Sequence, residues 1–356
     1  MGGGSLRSSC GSMRQLSFIV PPHIQKEIIR NGTAAERELM LQQLSVSEML
    51  RGRRQVLAES GALAVAAPPG RKRRAVYDAG GSEQLPGILA REEGSRATHD
   101  RAVNEAYISS GRMYDFMSKT YGRNSIDGRG MRLDSSVHFG VRYDNAFWNG
   151  SQMVYGDGDG RIFNRFTKCI DVVGHELTHG VTQHEAGLEY QGQPGALNES
   201  FSDVFGSLLK QWVKKESAAR ADWIIGAGLF TRRIRAAGLR SMKAPGTAYD
   251  DPLVGRDPQP AHMNDYYQGT DDNGGVHINS GIPNRAFYLA AAAIGGNAWK
   301  KAGRIWYVAL CDRLKRRASF AGAARITAAV AGELYGSGGK VEQAVKNAWK
   351  QVGVIK

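Results

Sequence analysis

The sequence contains few cysteines and no long apolar run. Its 356 residues include three cysteines, Cys10, Cys169 and Cys311, which are too few and too widely spaced for a disulfide framework. The longest apolar stretch, residues 286–296, is too short and too rich in alanine and glycine to span a bilayer. The N-terminal segment lacks the apolar core of a Sec signal peptide. We therefore expect no membrane partner and synthesis in the cytoplasm. The sequence leaves open a release from the cell by a route that needs no signal peptide.

Acidic residues are outnumbered by basic ones. The chain carries 47 Lys and Arg against 34 Asp and Glu, a net charge of +13, which is typical of nucleic-acid-binding proteins. The excess lies at the two ends, because residues 1–77 carry +7, residues 297–356 carry +9 and the residues between them carry −3. No zinc-finger, RNA-recognition or helix-turn-helix signature is present. We therefore expect no nucleic acid partner.

The N-terminal part of the chain changes composition three times. Residues 1–12 are rich in Gly and Ser and are predicted to be disordered, so that Met13 is a second candidate for the start of translation. Residues 13–57, which we call the leader, are predicted to form a small helical unit. Residues 58–74 are predicted to be a linker or processing region. The linker ends in the basic run 71–74, which is either a solvated loop or a processing or localisation signal.

The rest of the chain is predicted to form two lobes. Residues 75–182 combine a helix over 99–121 with strand and hairpin patterns, including alternation of apolar and polar residues over 136–143. Residues 183–356 are predicted to be mostly helical. This order predicts an α+β fold with a β-rich lobe, an α-helical lobe and a cleft between them.

The strongest chemical signal is a pair of histidines four residues apart. His175 and His179 lie on one face of a predicted helix and can bind the same metal ion. Glu176 projects beside that ion and can take a proton from water. On a second predicted helix, Glu199 suits a third metal ligand, and Asp203, one turn further on, suits an acceptor that fixes the tautomer of a ligand histidine.

These motifs together resemble the thermolysin family of zinc metallopeptidases, the gluzincins. Residues 272–281 resemble the family segment that carries a transition-state histidine, and residues 145–160 resemble the edge strand that binds the substrate backbone. The resemblance covers about residues 75–356 and implies the two-lobed fold with the active-site helix between the lobes. The leader, with Pro21-Pro22-His23-Ile24, resembles the short propeptides of the protealysin-like subgroup.

The resemblance implies a role for each matching residue. One catalytic zinc ion is implied, with His175, His179 and Glu199 as its ligands. The implied catalytic groups are the general base Glu176, the oxyanion donors Tyr190 and His277, and Asp272, which orients His277. Asp203 and Asn198 are implied as partners of the ligand histidines. The residues implied to contact substrate are Asn145, Ala146, Arg240, and the apolar pocket walls Phe163, Phe166, Val172 and Leu239.

The family's paired calcium site is not matched. Asp171 and Asp222 agree with it, but Lys210, Ile224 and Ala227 stand where relatives have acidic ligands. The lysine places a positive charge where calcium would bind, so we expect the paired calcium site to be absent. Calcium at other positions is left open.

The sequence therefore predicts a zinc endopeptidase that is made as an inhibited precursor. The pocket residues imply cleavage of peptides and proteins before bulky hydrophobic residues, and the leader is the expected intramolecular inhibitor, removed by self-cleavage between residues 50 and 75. We expect a monomer. The alternative is a metal-binding protein that uses the cleft only to bind peptides, and the full set of Glu176, Tyr190 and His277 argues against it.

Overall fold

The computed structural model describes residues 17–57 and 71–356, so the predicted disordered segment and most of the predicted linker lie outside the described residues. The strands and helices, in chain order, are β1 (Ser17–Phe18), α1 (Pro22–Asn31), α2 (Ala34–Leu57), β2 (Arg74–Asp78), β3 (Ile88–Glu92), α3 (Arg101–Tyr121), β4 (Leu133–Val137), β5 (Ala146–Trp148), β6 (Met153–Tyr155), α4 (Ile170–His184), α5 (Gly192–Lys214), β7 (Ile224–Ile225), β8 (Arg240–Ser241), β9 (Asp250–Asp251), β10 (Gly255–Arg256), α6 (Asp271–Asn279), α7 (Gly281–Ile294), α8 (Lys301–Val308), α9 (Phe320–Tyr335) and α10 (Lys340–Gln351). The α+β prediction is confirmed.

The β-rich part is a six-stranded mixed sheet in the order β1-β5-β6-β4-β2-β3. The pairs β2–β4 and β4–β6 are parallel, whereas β1–β5, β5–β6 and β2–β3 are antiparallel. Strand β1 belongs to the leader and covers the edge of β5. The leader therefore adds an outer strand to the sheet of the main domain.

The leader continues from β1 into a helical hairpin of α1 and α2. A capping box starts α2, because the Thr33 amide donates to Glu36 Oε2 at 2.9 Å and the Glu36 amide donates to Thr33 Oγ1 at 3.4 Å. Helix α2 extends to Leu57, the last residue of the predicted leader. One stripe of α2, with alternating spacings of four and three residues, faces the main domain. It consists of Glu36, Met40, Gln43, Ser47 and Leu50.

The end of the predicted linker belongs to the main domain. Arg74 is the first residue of β2, and its guanidinium forms an ion pair with Glu93 at 2.6 Å. Lys72 forms an ion pair with Asp115 at 3.0 Å. The interpretation of this basic run as a solvated loop is therefore wrong for Lys72 and Arg74, because both side chains have carboxylate partners in the fold.

The prediction of a strand over residues 136–143 is wrong beyond Val137, where β4 ends. The backbone leaves the extended region at His138, Gly140 and Arg142, whose φ angles are +55°, +64° and +54°. Left-handed residues turn the chain and end strand pairing. The apolar alternation has another cause, because Phe139 folds back against Phe147 with ring centroids 5.6 Å apart.

The C-terminal lobe is mostly helical, as predicted, although residues 215–270 also contain two two-stranded sheets, β7–β8 and β9–β10. Helices α4 and α5 approach each other closely at Gly206, where an added Cβ would lie 2.4 Å from the Asp171 carbonyl oxygen. Glycine is required there, because any side chain would push the two helices apart. Among the described helices, none is long and apolar enough to cross a membrane.

Candidate active site

Helix α4 brings the two histidines of the motif together at the base of the cleft. The Nε2 atoms of His175 and His179 lie 2.9 Å apart, and both side chains are almost fully buried. With Glu176 they form a cluster whose ligand atoms all lie within 4.8 Å of one another. The spacing of four residues on one helix turn produces this convergence.

Both ring Nδ1 atoms are bound to acceptors on α5. His175 Nδ1 lies 2.8 Å from Asp203 Oδ1, and His179 Nδ1 lies 2.8 Å from Asn198 Oδ1. Each Nδ1 therefore carries the proton, and each Nε2 presents a lone pair. Two lone pairs that face each other across 2.9 Å repel unless a cation lies between them, so the donor set fits a metal ion.

Glu199 on α5 completes the donor set. Its carboxylate oxygens lie 3.4 Å from the Nε2 atoms of both histidines, and the side chain is 1% exposed. Oε1 accepts the Tyr190 hydroxyl, whereas Oε2 is buried without a hydrogen-bond partner among the described residues. Two imidazoles, one carboxylate and an open position are the ligand arrangement of catalytic zinc sites, so these residues fit zinc.

Glu176 lies beside this cluster and is held at one oxygen only. Its Oε2 accepts the backbone N–H of Trp148 on β5 at 3.0 Å, whereas its Oε1 is buried without a partner among the described residues. From the protein groups alone, burial raises the pKa of Glu176 to about 8. The carboxylate is thus oriented by β5 and has one oxygen available for a reacting molecule.

His277 is placed by an uncommon backbone turn. Four successive residues, 272–275, have φ between +52° and +77°, and the sequence Asp-Asn-Gly-Gly consists of the residues that tolerate this left-handed region best. The turn carries the Asp272 carboxylate back to the Nδ1 and the backbone N–H of His277, at 2.7 and 2.8 Å. Although burial opposes it, the Asp272 charge raises the pKa of His277.

Arg240 on β8 is buried and bound to the same Asp203 that holds His175. Its Nε and one terminal nitrogen each lie 2.8 Å from an Asp203 oxygen. Asn284 on α7 donates to Asp203 as well, at 2.8 Å. Despite its burial, Asp203 has a pKa lowered to about 2, because the Arg240 charge stabilises the carboxylate. Sequence reasoning missed Asn284, which no motif singled out.

The leader occupies the cleft in an extended conformation. In β1, Phe18 pairs with Phe147, and the next residue, Ile19, donates its N–H to the Ala146 carbonyl at 3.1 Å. The Val20 N–H donates to Asn145 Oδ1 at 3.0 Å. Asn145 and Ala146, both proposed substrate contacts, are thus engaged by the backbone of the leader.

The carbonyl groups of the leader face the remaining polar residues of the site. The Phe18 carbonyl oxygen lies 3.1 Å from His277 Nε2, and the Ile19 carbonyl accepts from Arg240 at 3.3 Å. The Tyr190 hydroxyl is 3.2 Å from the same His277 nitrogen. Because Asp272 and the Phe18 carbonyl are both acceptors, the geometry favours an imidazolium that donates from both nitrogens. The sequence did not reveal these contacts, because a two-residue strand is too short to show a period.

The predicted pocket walls are all buried. None of the four is more than 1% exposed, and they belong to the same apolar cluster as Ile19, which is fully buried. The four residues are Phe163, Phe166, Val172 and Leu239. Phe163 stacks on Phe230 with ring centroids 5.0 Å apart, which fixes one side of this region.

Lys210 occupies the position that the resemblance assigns to a calcium ligand. Its ammonium lies 3.0 Å from Asp171 and 2.8 Å from Asp222, and it donates to the Ile224 carbonyl. Although burial opposes it, the Asp171 charge raises the pKa of Lys210. A buried ammonium therefore neutralises both carboxylates.

Comparisons with known proteins agree with this geometry. Residues 70–183 match the family of the thermolysin metallopeptidase catalytic domain, and residues 186–354 match its alpha-helical domain. A protein named extracellular metalloprotease from Pectobacterium carotovorum subsp. carotovorum is 51% identical over 342 residues, which cover 96% of this chain and 97% of that protein. Protease PrtS from Photorhabdus sp. (strain Az29) is 44% identical over 342 residues, covering 94% and 91%.

The chain is a metalloendopeptidase, and it belongs to the thermolysin family. Among solved structures, it is similar to the precursor of protealysin, a metalloproteinase from Serratia proteamaculans. The TM-score is 0.88 at 53% identity, and the match covers 95% of this chain and 100% of that one. The likeness to a precursor over almost the whole length supports a propeptide at the N-terminus of this chain.

Proposed function

We propose that this chain is the precursor of a zinc-dependent endopeptidase that cleaves peptide bonds on the amino side of bulky hydrophobic residues. The observation that carries the proposal is the position of the leader. Its backbone runs antiparallel to β5 and presents one carbonyl to His277 and the next to Arg240. An extended peptide in this register would place a peptide bond next to Glu176 and the histidine pair.

The residues of the chain have distinct roles in the proposed reaction. Zinc, held by His175, His179 and Glu199, would supply a Lewis acid that polarises the carbonyl and lowers the pKa of water. Glu176 accepts a proton from the attacking water at its free oxygen and later delivers it to the leaving amine. His277 and Tyr190 donate to the carbonyl oxygen as negative charge develops there.

The substrate backbone is held by groups that the leader already uses. The Ala146 carbonyl accepts one substrate N–H, and Asn145 accepts the next. Arg240 donates to the carbonyl of the residue that follows the cleaved bond, and Asp203 keeps its guanidinium in place. Holding the peptide at several points lowers the entropic cost of reaching the reactive geometry.

The side chain of Ile19 supports the proposed specificity. Ile19 is the residue whose N–H binds Ala146 and whose carbonyl binds Arg240, so it corresponds to the substrate residue after the cleaved bond. Its complete burial indicates an apolar subsite, for which a large aliphatic or aromatic side chain is the best occupant.

We propose that the leader inhibits the enzyme until it is removed. It covers the β5 edge, His277 and Arg240, which a substrate would need. The cut is proposed to lie upstream of Lys72, because Lys72 and Arg74 are tied into the main domain. The +7 of residues 1–77 therefore leaves only in part with the leader.

Three further features belong to the proposal. The paired calcium site is absent, because Lys210 neutralises Asp171 and Asp222. The mature enzyme acts outside the cell, as the name extracellular metalloprotease states for the Pectobacterium relative. We propose that it works as a monomer.

Hydrolysis of casein by the processed enzyme, with and without 1,10-phenanthroline, tests the activity. We expect cleavage that the chelator abolishes and that added zinc restores. Sequencing of the new N-termini should show mainly Leu, Ile and Phe after the cut. Peptide binding without chelator-sensitive hydrolysis would support the peptide-binding alternative, and termini without apolar preference would contradict the proposed pocket.

A further inference from the structure

The leader makes a buried charged contact with the main domain at the start of α2. Glu36 at the start of α2 is buried, with its side chain 3% exposed, and its Oε1 lies 2.6 Å from Arg233 and 3.9 Å from Arg161. Its Oε2 accepts the amide and hydroxyl of Thr33, both at 2.9 Å. One oxygen therefore caps the helix and the other faces two arginines of the main domain.

The two arginines are held side by side by a short backbone ladder. The Thr231 N–H donates to the Ile162 carbonyl at 2.9 Å, and the Thr231 hydroxyl donates to the Arg161 carbonyl at 2.6 Å. Phe163 and Phe230 form the adjoining bridge of this ladder. The backbone that carries the two arginines is thus ordered by contacts within the main domain.

This ladder is continuous with the substrate region. Phe163 is a proposed wall of the apolar pocket, and Arg161 is two residues from it, at most about 7 Å along the chain. Among the described residues, Glu36 is the only carboxylate within 4.0 Å of either guanidinium. Loss of the leader would remove that carboxylate and leave two neighbouring arginines, 45% and 56% exposed even in the precursor, at the edge of the cleft.

We propose that Arg161 and Arg233 form a carboxylate-binding site for polypeptide substrates in the mature enzyme. The ligand is an acidic side chain, Asp or Glu, that lies several residues beyond the cleaved bond on the leaving-group side. Glu36 occupies the same site in the precursor, and it too follows the cleft-bound Phe18–Val20 segment in sequence. The leader thus imitates substrate both in the cleft and at this second site. The inference rests on the proposed peptidase function.

Arginine pairs are suited to this task. Their planar groups bind carboxylates through paired N–H donors and remain charged at every physiological pH. Because both groups are partly exposed, each contact is weak, and salt screens it. We therefore expect a several-fold preference for acidic substrates at low ionic strength, with no effect on short peptides that do not reach the site.

The test compares matched peptides on the processed enzyme. Each peptide has the same cleavable core, followed by a Gly/Ser linker of five, ten or fifteen residues and a tail of two Glu or two Gln. The value of kcat/KM is measured at 50 and 500 mM NaCl for the wild type and for a variant with both Arg161→Gln and Arg233→Gln. Arg232→Gln is the control for the loss of a positive charge at an exposed position in the same loop.

We expect the wild type to cleave at least one Glu-tailed peptide about three to ten times more efficiently than its Gln-tailed partner at low salt. The ratio should fall to about one in the double variant and at high salt, and it should persist in Arg232→Gln. A ratio of one for every linker, or a ratio that survives in the double variant, overturns the proposal. Equal cleavage of the tail-free core by all variants shows that the active site is intact, whereas no cleavage of that core by the wild type would contradict the proposed function itself.

Discussion

Asp203 and Arg240 form a buried bidentate ion pair, with both N–O distances at 2.8 Å. The same carboxylate accepts the Nδ1–H of His175. One acidic side chain therefore orients a proposed metal ligand and a proposed substrate-binding group, so the position of Arg240 is coupled to that of His175.

Replacing Arg240 by lysine keeps the charge and removes the fork that binds both oxygens of Asp203. We expect kcat/KM for short peptides to fall about 10- to 100-fold, because a charge-assisted hydrogen bond to the substrate carbonyl is lost or misplaced. Arg235→Lys, at an exposed position, is the control. Unchanged kcat/KM in Arg240→Lys would show that the ion pair does not position the substrate.

Glu176→Gln should yield a chain that retains its leader. The amide has nearly the same shape but cannot accept a proton, so hydrolysis of the leader and of casein should fall by at least about a thousandfold. Zinc content, measured by elemental analysis, should stay at one per chain. Glu333→Gln, at an exposed helix position, is the control. Leader loss in Glu176→Gln at the wild-type rate, with no other protease present, would contradict self-processing.

Ile19→Asp should shorten the lag between the addition of zinc to the precursor and the appearance of peptidase activity. A carboxylate at this fully buried position must be desolvated or leave the pocket, which costs several kcal/mol and weakens the hold of the leader on the cleft. The lag is read from peptide hydrolysis after zinc is added to freshly refolded precursor. Leu41→Asp, where the side chain is 49% exposed on α2, should keep the wild-type lag. Equal lags for the two variants would argue against inhibition through the Ile19 subsite.

Docking of the leader should weaken in acid because of His23. Its Nε2 lies 2.8 Å from the Tyr249 hydroxyl, and its Nδ1 is buried without a partner among the described residues. Burial, with smaller contributions from the charges of His277, Arg240 and Lys26, lowers the pKa of His23 to about 3. The docked state favours neutral His23. Docking is therefore strongest above the pKa of a solvent-exposed histidine, about 6.5, and weakens as pH falls below that value.

The effect of pH can be measured in the inactive Glu176→Gln chain. We expect hydrogen-exchange protection of α1 to fall about ten- to thirtyfold between pH 7 and pH 5, after correction for the intrinsic exchange rates. His23→Gln in the same background should be nearly insensitive to pH over this range. Equal pH dependence with and without His23 would assign the effect to another group.

Lys210 should set the response of stability to calcium. Lys210→Met leaves Asp171 and Asp222 without their shared cation, and a buried pair broken in this way costs about 3–5 kcal/mol of unfolding free energy. Lys210→Glu adds a third carboxylate, so we expect millimolar calcium to raise its melting temperature more than that of the wild type. EGTA should leave the wild-type melting temperature unchanged. A large fall in the melting temperature of the wild type on EGTA treatment would point to calcium bound elsewhere in the chain.

Much of the candidate site could be predicted from local sequence. A spacing of four on a helix is enough to place His175 beside His179, and a spacing of four on α5 places Glu199 near Asp203. The α+β fold and the family follow from the order of the elements and from the motifs. The prediction of a strand over 136–143 failed because three left-handed residues turn the chain, and this turn buries Phe139 and Tyr143 but leaves Val141 exposed.

Contacts between distant segments could not be predicted. Asn284 reaches Asp203 from 81 positions away, and Arg233 reaches Glu36 from 197 positions away. No periodicity links such residues, because their contact depends on how whole helices and loops pack. The same holds for Lys72 and Arg74, because the sequence does not show that Asp115 and Glu93 lie next to them in the fold.

By itself, the sequence determined the chemistry of this protein, namely two histidines and a glutamate on one helix turn, a third candidate ligand on the next helix, and a leader of distinct composition. Those features depend on short spacings that a helix converts directly into geometry. Only the tertiary structure decided that the leader lies in the cleft, paired with β5 and bound to Arg240, and that Glu36 engages Arg161 and Arg233. The physical reason is that these contacts need the edge of β5, the buried Arg240 and the ladder at Phe163 to be assembled first, and assembly is a property of the packed chain.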